Sequence, residues 1–204
     1  MSSSLTQEIR SCSHCKLRQT CHMPVPGEGN PNSGFWLIGE APGKDEDQMG
    51  RPFVGRAGKI LRKILTTLGI EESQSQCRNI YITNVIKCRP PNNKFMKTFA
   101  NVCIKQFLWR EIDVYKPSVV VLLGRNAATS ILPVNLSFKD MLGQTYRFWH
   151  NPSVLWCVTH HPASYLYSHK DQILLELTRH IRKFWQIYCN KLYTDQHVAR
   201  YGDE

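Results

Sequence analysis

Four cysteines are spaced as two separated pairs that suit a metal centre. Cys12-Ser-His-Cys15 is a C-x-x-C motif, and two thiolates at this spacing can bind one metal centre through a tight turn. Cys88 and Cys103 form a second pair, with 14 residues between them. The spacing predicts a four-thiolate site without distinguishing zinc from an iron–sulfur cluster, and Cys21 is a rival ligand. On the residues alone, Cys88 and Cys103 are equally well explained as ordinary buried thiols. The other cysteines are expected in the core or in loops: Cys77, Cys157 and Cys189.

A glycine-rich segment offers a second place for chemistry. Gly39-Glu-Ala-Pro-Gly43 opens a stretch rich in glycine, proline and charge that runs to Gly58. We expect an extended loop here, and long loops in compact domains are usually functional. Its glycines let a ligand approach the backbone, and Phe53 offers a flat face for stacking. The segment lacks the G-K-[ST] of a Walker loop and the G-x-G-x-x-G of a dinucleotide site. A purely structural turn is the alternative.

Two polar residues that follow apolar runs complete the candidates. The amide of Asn84 can both donate and accept hydrogen bonds, so it can read the edge of a nucleobase. His161, in His161-Pro-Ala163, can donate to a developing anion. Taken alone, each residue type is more often structural, and His160 is an alternative to its neighbour His161.

The elements that must position these residues alternate along the chain. Short apolar runs predict strands at Phe35–Gly39, Ile80–Val85, Val119–Leu123 and Val154–Thr159, with a further small strand or hairpin arm at Tyr146–Trp149. Helical patterns occupy Gly58–Gly69, Met96–Tyr115, Asn126–Leu132 and Asp171–Tyr188. This alternation predicts an α/β fold with a parallel sheet covered on both faces. Ligands of such folds bind beyond the carboxyl ends of the strands, so the candidate residues should converge at one edge.

Composition limits the class of protein and its partners. The chain has 204 residues, of which 42% are apolar, so a single folded domain is expected over residues 1–189, followed by a polar tail at 190–204. Lys and Arg number 26 against 16 Asp and Glu, a net charge of +10. An excess of this size attracts polyanions, of which nucleic acid is the commonest, although an inert basic surface is the alternative.

The sequence also gives expectations about location and assembly. It has no run of about 18 apolar residues and no apolar secretory segment near the N-terminus. We therefore expect an intracellular, cytoplasmic protein that does not contact a membrane. The basic charge adds the expectation of association with the nucleoid through DNA, and we expect a monomer. In that reducing compartment the eight cysteines are expected to be thiols or metal ligands rather than disulfides.

Taken in order, these motifs closely resemble those of the family 4 (iron–sulfur) uracil-DNA glycosylases. The resemblance extends from about Cys12 to Tyr165, which is most of the chain. It rests on Cys12-x-x-Cys15, Val25-Pro-Gly-Glu-Gly29, Gly39-Glu-Ala-Pro-Gly43, Gly50-Arg-Pro-Phe-Val-Gly-Arg-Ala-Gly58, Thr83-Asn-Val-Ile-Lys-Cys-Arg-Pro-Pro91, Cys103, Leu123-Gly124 and His161-Pro-Ala163.

The resemblance implies a three-layer α/β/α fold with a central four-stranded parallel sheet. It implies a structural [4Fe–4S] cluster on Cys12, Cys15, Cys88 and Cys103, and so decides against zinc and against Cys21. It further implies that the protein flips uracil out of single- or double-stranded DNA and hydrolyses the N-glycosidic bond, which leaves an abasic site. The implied pocket roles are lining by Glu40, Ala41 and Pro42, stacking on uracil by Phe53, reading of its polar edge by Asn84, and contact with its O2 by His161.

The chain departs from the family pattern at several points. The Gly39 motif has no Asp at the position where the best-known uracil glycosylases carry their water-activating base, so Glu40 is our candidate for positioning water. Tyr165 and Leu166 are the candidates for a wedge that fills the gap left by the flipped base. The family usually has an arginine soon after the loop that begins at His161. This arginine is missing here, and Lys170 is a partial substitute. No basic insertion follows Cys88, so turnover is expected rather than covalent trapping.

Three alternative functions are compatible with the sequence. The first is a catalytically silent DNA-binding scaffold, such as a polymerase accessory factor on the same fold. The second is a glycosylase for another deaminated base. The third is a zinc-ribbon nucleic-acid binder, which only the cysteines support.

Overall fold

A six-stranded sheet forms the centre of the fold. The computed structural model describes residues 2–70, 80–148 and 151–201. In chain order the strands are β1 (Glu28–Gly29), β2 (Phe35–Gly39), β3 (Tyr81–Asn84), β4 (Val119–Leu123), β5 (Thr145–Tyr146) and β6 (Leu155–Thr159). They lie side by side in the order β1-β3-β2-β4-β6-β5. The four central strands are parallel, as predicted, and β1 and β5 add short antiparallel edges.

Helices surround the sheet in the alternating order that the sequence predicts. They are α1 (Ser2–Arg10), α2 (Lys44–Met49), α3 (Arg56–Thr67), α4 (Lys97–Cys103), α5 (Trp109–Tyr115), α6 (Arg125–Ile131), α7 (Phe138–Met141), α8 (Pro162–Ser168) and α9 (Asp171–Tyr201). A π-helical segment, Ile104–Leu108, joins α4 to α5, so the three form the one long helix predicted over Met96–Tyr115. None of the helices within these ranges is long and apolar enough to cross a lipid bilayer.

Three local predictions need correction. The segment from Gly39 to Gly58 is not one extended loop, because α2 forms inside it. Three acidic residues occupy the first turn of α2, where they complement the helix dipole, and Gly50 ends the helix in the left-handed region with a φ of 64°. Helix α9 does not end at Tyr188 but continues to Tyr201, since neither glycine nor proline interrupts the chain before Gly202. The small strand at Tyr146 is shorter than predicted.

Some predicted positions lie outside the described residues. They are Cys77, Trp149 and the last three residues of the chain, 202–204.

Alternate residues of the buried strands point to opposite faces of the sheet and form two cores. One core joins the sheet to α4, α5 and α6, and its strand members include Trp36, Ile38, Val120 and Leu122. The other joins the sheet to α3 and α9, and its strand members include Phe35, Leu37, Val119 and Val121. Each of these strand side chains is fully buried. The predicted three-layer α/β/α architecture is therefore confirmed.

The strand order creates a crevice above the middle of the sheet. From β2 the chain moves to β3 on one side and then to β4 on the other side. Loops that leave neighbouring strands in opposite directions open a crevice at their carboxyl ends. Glu40 directly follows β2, Asn84 is the last residue of β3, and His161 comes two residues after β6. The fold therefore brings three candidate residues from distant parts of the sequence to the same edge.

Candidate active site

A cavity of about 290 Å³ lies at the carboxyl ends of the parallel strands. All six residues predicted for a base pocket line it: Glu40, Ala41, Pro42, Phe53, Asn84 and His161. The structure therefore brings the predicted pocket together. Other lining residues come from α2, from the start of α3, from the loop after Cys88, and from α8.

Asn84 places a buried, unsatisfied acceptor in the wall of this cavity. The residue is only 3% exposed, and its Oδ1 atom has no hydrogen-bond partner within the described residues. A buried amide oxygen without a partner is costly unless a ligand supplies the donor. Gly39 makes this placement possible, since a Cβ at that position would collide with Oδ1 of Asn84.

Phe53 is held in a backbone conformation that non-glycine residues rarely adopt. Its φ is 54°, and its side chain is 5% exposed. Such a conformation persists only where the surroundings enforce it. Arg62 Nε donates to the carbonyl oxygen of Phe53 at 3.1 Å, and a Cβ at Gly58 would collide with the same carbonyl group. The strain and its supports fix the aromatic ring in the cavity, where it can stack on a flat ligand.

His161 is a neutral hydrogen-bond donor by virtue of its surroundings. Desolvation by burial lowers the pKa of its imidazole from 6.5 to about 4, so the ring is neutral at pH 7. Its Nδ1 atom accepts a hydrogen bond from the backbone N–H of Ala163 at 3.1 Å, so the remaining proton is assigned to Nε2. The ring centroid lies 5.9 Å from that of Phe53. A donor and a stacking ring therefore share one cavity.

The neighbouring His160 has a different partner. Its Nε2 atom lies 2.8 Å from Oε2 of Glu176 on α9. That contact engages the ring with α9, and His160 does not line the cavity. The two adjacent histidines, which sequence alone leaves ambiguous, are thus distinguished by their contacts.

Glu40 is a half-buried carboxylate at the edge of the cavity. Desolvation raises its pKa above 4.5, and a hydrogen bond from Asn126 Nδ2 to Oε2, at 2.8 Å, partly opposes this shift. Its backbone carbonyl accepts from Ile86 at 3.0 Å, which anchors the loop to the end of β3. Asn126 was not predicted as a site residue, although its position two residues after Gly124, at the carboxyl end of β4, gave a signal for it.

Glu46 on α2 is a second site residue that sequence reasoning missed. It lines the cavity, and its carboxylate accepts hydrogen bonds from the backbone of two loops. Its spacing of three residues from Gly43, the residue that precedes α2, matches the capping-box pattern of helix N-termini.

The predicted cysteines lie on three segments of the chain, since Cys12 and Cys15 share the segment after α1. Cys12 follows α1, Cys15 precedes a 3₁₀ turn at Lys16–Gln19, and Cys88 and Cys103 are buried members of the core on the α4–α6 side of the sheet. Burial and the adjacent thiols of Cys21, Cys103 and Cys15 raise the pKa of Cys88 far above 9.

The pKa of Cys103 also reflects nearby thiols. Burial raises its pKa from 9 to about 11, while Lys87 lowers the pKa and the thiols of Cys15 and Cys12 raise it. Cys21 is also buried nearby, so five thiols come together. Within the described residues, no group of three or more His, Cys, Asp or Glu side chains is arranged around a single metal ion.

The two wedge candidates lie on α8, next to the cavity. Tyr165 and Leu166 are both half-buried. The next residue, Tyr167, is 82% exposed and also lines the cavity.

Comparisons with known proteins identify the family. The model of the Uracil DNA glycosylase superfamily matches residues 26–188. A Type-4 uracil-DNA glycosylase of Sulfurisphaera tokodaii is 38% identical over 178 residues, which cover 84% of this chain and 79% of the relative. Proteins of the same name from Archaeoglobus fulgidus and Saccharolobus solfataricus are 36% and 35% identical, covering 92% and 84% of this chain and 92% and 80% of the relatives. By the extent of both kinds of match, the chain belongs to the uracil DNA glycosylase superfamily.

Proposed function

We propose that this protein removes uracil from DNA by flipping the nucleotide into the cavity and hydrolysing its N-glycosidic bond, which releases uracil and leaves an abasic site. The observation that carries the proposal is the buried Oδ1 atom of Asn84, which lacks a partner within the described residues of the cavity wall. Uracil carries an N3–H group that supplies the missing donor. The names of the relatives, Type-4 uracil-DNA glycosylases, support the same reaction.

The Asn84 amide explains discrimination against cytosine. When Oδ1 of Asn84 accepts from N3–H of uracil, the NH₂ group of the same side chain donates to uracil O4. Cytosine presents an unprotonated N3 and an amino group at these positions, so both contacts are lost and buried polar groups stay unpaired. A site built for such hydrogen bonds rejects a mismatched ligand strongly. Phe53 adds stacking that offsets the few kcal/mol needed to extrude a base, while Ala41 and Pro42 complete the wall.

His161 and Glu40 divide the chemistry between the two products of bond cleavage. As the bond breaks, negative charge develops on the departing uracil and the sugar gains cationic character. The Nε2–H of neutral His161 donates to uracil O2 and stabilises the anion without itself carrying charge. Glu40, oriented by Asn126, positions the water that captures the sugar.

Four cysteines are proposed to hold a [4Fe–4S] cluster: Cys12, Cys15, Cys88 and Cys103. The thiols of Cys15 and Cys103 help to raise the pKa of Cys88, and those of Cys12 and Cys15 help to raise the pKa of Cys103, which supports a common site. A cubane of four irons is wider than one ion, so its thiolates stand farther apart than the ligands of zinc. A cluster held by these residues would supply a structural crosslink between the N-terminal segment, which carries Cys12 and Cys15, and the loop after Asn84, which carries Cys88.

Contact with DNA is proposed to involve the basic surface and α8. The net charge of +10 favours binding to phosphates. Tyr165 and Leu166 stay the proposed wedge residues, and the more exposed Tyr167 joins them. We propose that residues 1–189 form the glycosylase domain. We also propose that the protein acts as a monomer inside the cell, because residues of one chain line the whole cavity.

A strand-cleavage assay tests the proposed function. The protein, purified anaerobically, is incubated with a labelled oligonucleotide that contains one uracil, and alkali then cleaves the abasic product. We expect cleavage at uracil and its loss in His161→Ala. Tight DNA binding without cleavage, in a protein with an intact cluster, would instead make the chain a silent scaffold.

A further inference from the structure

Glu46 connects two separate loops of the cavity through one carboxylate. Its Oε2 atom accepts a hydrogen bond from the backbone N–H of Gly43 at 3.1 Å. Its Oε1 atom accepts from the N–H groups of Val54 at 2.9 Å and Gly55 at 2.7 Å. Gly43 ends the loop that carries Glu40, whereas Val54 directly follows Phe53. Glu46 therefore joins the loop that forms one wall of the cavity to the loop that carries the stacking ring.

Helix capping explains only half of this arrangement. The bond from Gly43 to Oε2 is that of a capping box, in which the third residue of a helix reaches back to the residue before it. Capping leaves the second oxygen free for water, but here Oε1 accepts two further bonds from outside the helix. The packing is close on both sides, because a Cβ at Gly43 would lie 2.7 Å from Oε2 and one at Gly55 would lie 3.2 Å from Oε1.

The backbone of Phe53 needs such a restraint. A φ of 54° in a non-glycine residue is unfavourable and relaxes when its neighbours release it. Arg62 holds the carbonyl group of Phe53, and Glu46 holds the two amides that follow it. Without Glu46, the N–H groups of Val54 and Gly55 lose the carboxylate that links them to the loop ending at Gly43.

We propose that Glu46 is a positioning residue for the base pocket, which sets the distance between the Phe53 ring and the loop from Glu40 to Gly43. It acts on how tightly the flat base is held and makes no contact with the reacting atoms. The inference rests on the proposed function for its substrate, but the restraint of the two loops can be measured without that function.

The experiment compares Glu46→Gln and Glu46→Asp with Asp45→Asn as the matched control. Gln keeps the length but turns one oxygen into a donor, and Asp keeps the charge but is too short to reach both loops. Asp45 is the exposed neighbour on the same helix, and its carboxylate also lies beside Gly55. Asp45→Asn therefore makes the same charge change at the same place as Glu46→Gln but leaves the hydrogen bonds of Glu46 intact. Inhibition of uracil excision by free uracil reports base binding separately from DNA binding.

We expect the inhibition constant of uracil to rise by about tenfold or more in both Glu46 variants, because charge-assisted hydrogen bonds are lost. Asp45→Asn should stay close to the parent protein. Hydrogen exchange followed by mass spectrometry should show faster exchange in both loops, residues 41–43 and 53–55, in the Glu46 variants only. Thermal unfolding controls for general instability, which would lower the folded fraction without changing the inhibition constant.

The possible outcomes separate the two proposals. Unchanged uracil inhibition and unchanged exchange of the 53–55 loop would reduce Glu46 to a helix cap and overturn the inference. Equal effects in Asp45→Asn would assign the result to charge and overturn it too. A parent protein that does not release uracil would sink the proposed function, while exchange that accelerates in both loops of the Glu46 variants would still uphold the restraint.

Discussion

The Nδ1 atom of His161 and the backbone N–H of Ala163 are hydrogen-bonded at 3.1 Å, which makes the histidine cap its own helix, α8. This contact has a chemical consequence, because a ring whose Nδ1 accepts a hydrogen bond carries its proton on Nε2. Protonation of Nδ1 would break the cap. Helix α8 and the low pKa of His161 therefore favour the same neutral tautomer.

The dependence of the excision rate on pH follows from these shifts. His161 is neutral above about pH 4, so it contributes no inflection near its ordinary value of 6.5. Glu40 has a pKa raised above 4.5 by burial, and its carboxylate form is the one that orients water.

We expect the single-turnover rate constant to be flat around neutrality and to fall on acidification as Glu40 becomes protonated. In Glu40→Gln the part of this acid limb that is due to Glu40 should vanish, leaving only the fall near pH 4 at which His161 is protonated, and the plateau rate should drop. An inflection near pH 6.5 in the parent protein would contradict the neutral histidine, and an unchanged plateau in Glu40→Gln would remove the role of Glu40.

Gly39 is expected to be intolerant of even one added methyl group. A Cβ there would collide with Oδ1 of Asn84 and would lie 2.5 Å from the Phe53 ring. Overpacking of this kind costs roughly 1–3 kcal/mol, so the excision rate of Gly39→Ala should fall by about tenfold or more.

Gly69→Ala is the matched control for this substitution. An added Cβ at Gly69 meets nothing within 4 Å, and only its φ of 68° is unfavourable. We expect a loss of about 1 kcal/mol in unfolding free energy with a normal excision rate. Single-turnover kinetics and thermal unfolding of both variants give the comparison. Equal rates in the two variants would show that the contact with Asn84 and Phe53 does not matter.

The convergence of Glu40, Asn84 and His161 at one edge of the sheet is predictable from sequence, because each lies at or just after the end of a strand. Apolar runs mark the strands, and ligands of such folds bind at their carboxyl ends. Phe53 was assigned through its glycine-rich motif. The residue types alone do not separate His161 from His160, and only the family resemblance favours His161. The structure adds the physical distinction, because Glu176 on α9, 16 residues further along the chain, contacts His160.

The hydrogen bonds of Glu46 were beyond local reasoning for a similar reason. Its partners Val54 and Gly55 are eight and nine residues away, and their backbone donors have no sequence signature. Only the spacing to Gly43 was visible. Helix α2 itself was missed because its six residues are too short for a clear apolar period, and the segments on either side are rich in glycine and proline.

Iron content should distinguish Cys21 from the four proposed ligands. Cys21 is buried beside Cys88, yet a cubane cluster needs only four thiolates. We expect Cys21→Ser to retain about four irons per chain, whereas Cys103→Ser should lose them together with thermal stability. Cys189→Ser, at an exposed position on α9, controls for the loss of any thiol. A Cys21→Ser protein that purifies without iron and sulfide would make Cys21 a ligand.

The residues of α8 are expected to differ in their effects on duplex and single-stranded DNA. A wedge fills the gap left by the flipped base, and that gap exists only in a duplex, where unstacking costs a few kcal/mol. Tyr165 and Leu166 are half-buried, whereas Tyr167 is 82% exposed at the cavity.

We expect Tyr167→Ala to slow excision from duplex DNA by about tenfold or more while excision from single strands stays normal. Tyr165→Ala and Leu166→Ala should reveal whether either shares this role. The measurement is the ratio of single-turnover rates on matched duplex and single-stranded substrates, and a ratio that changes in none of the three variants would exclude α8 as the source of the wedge.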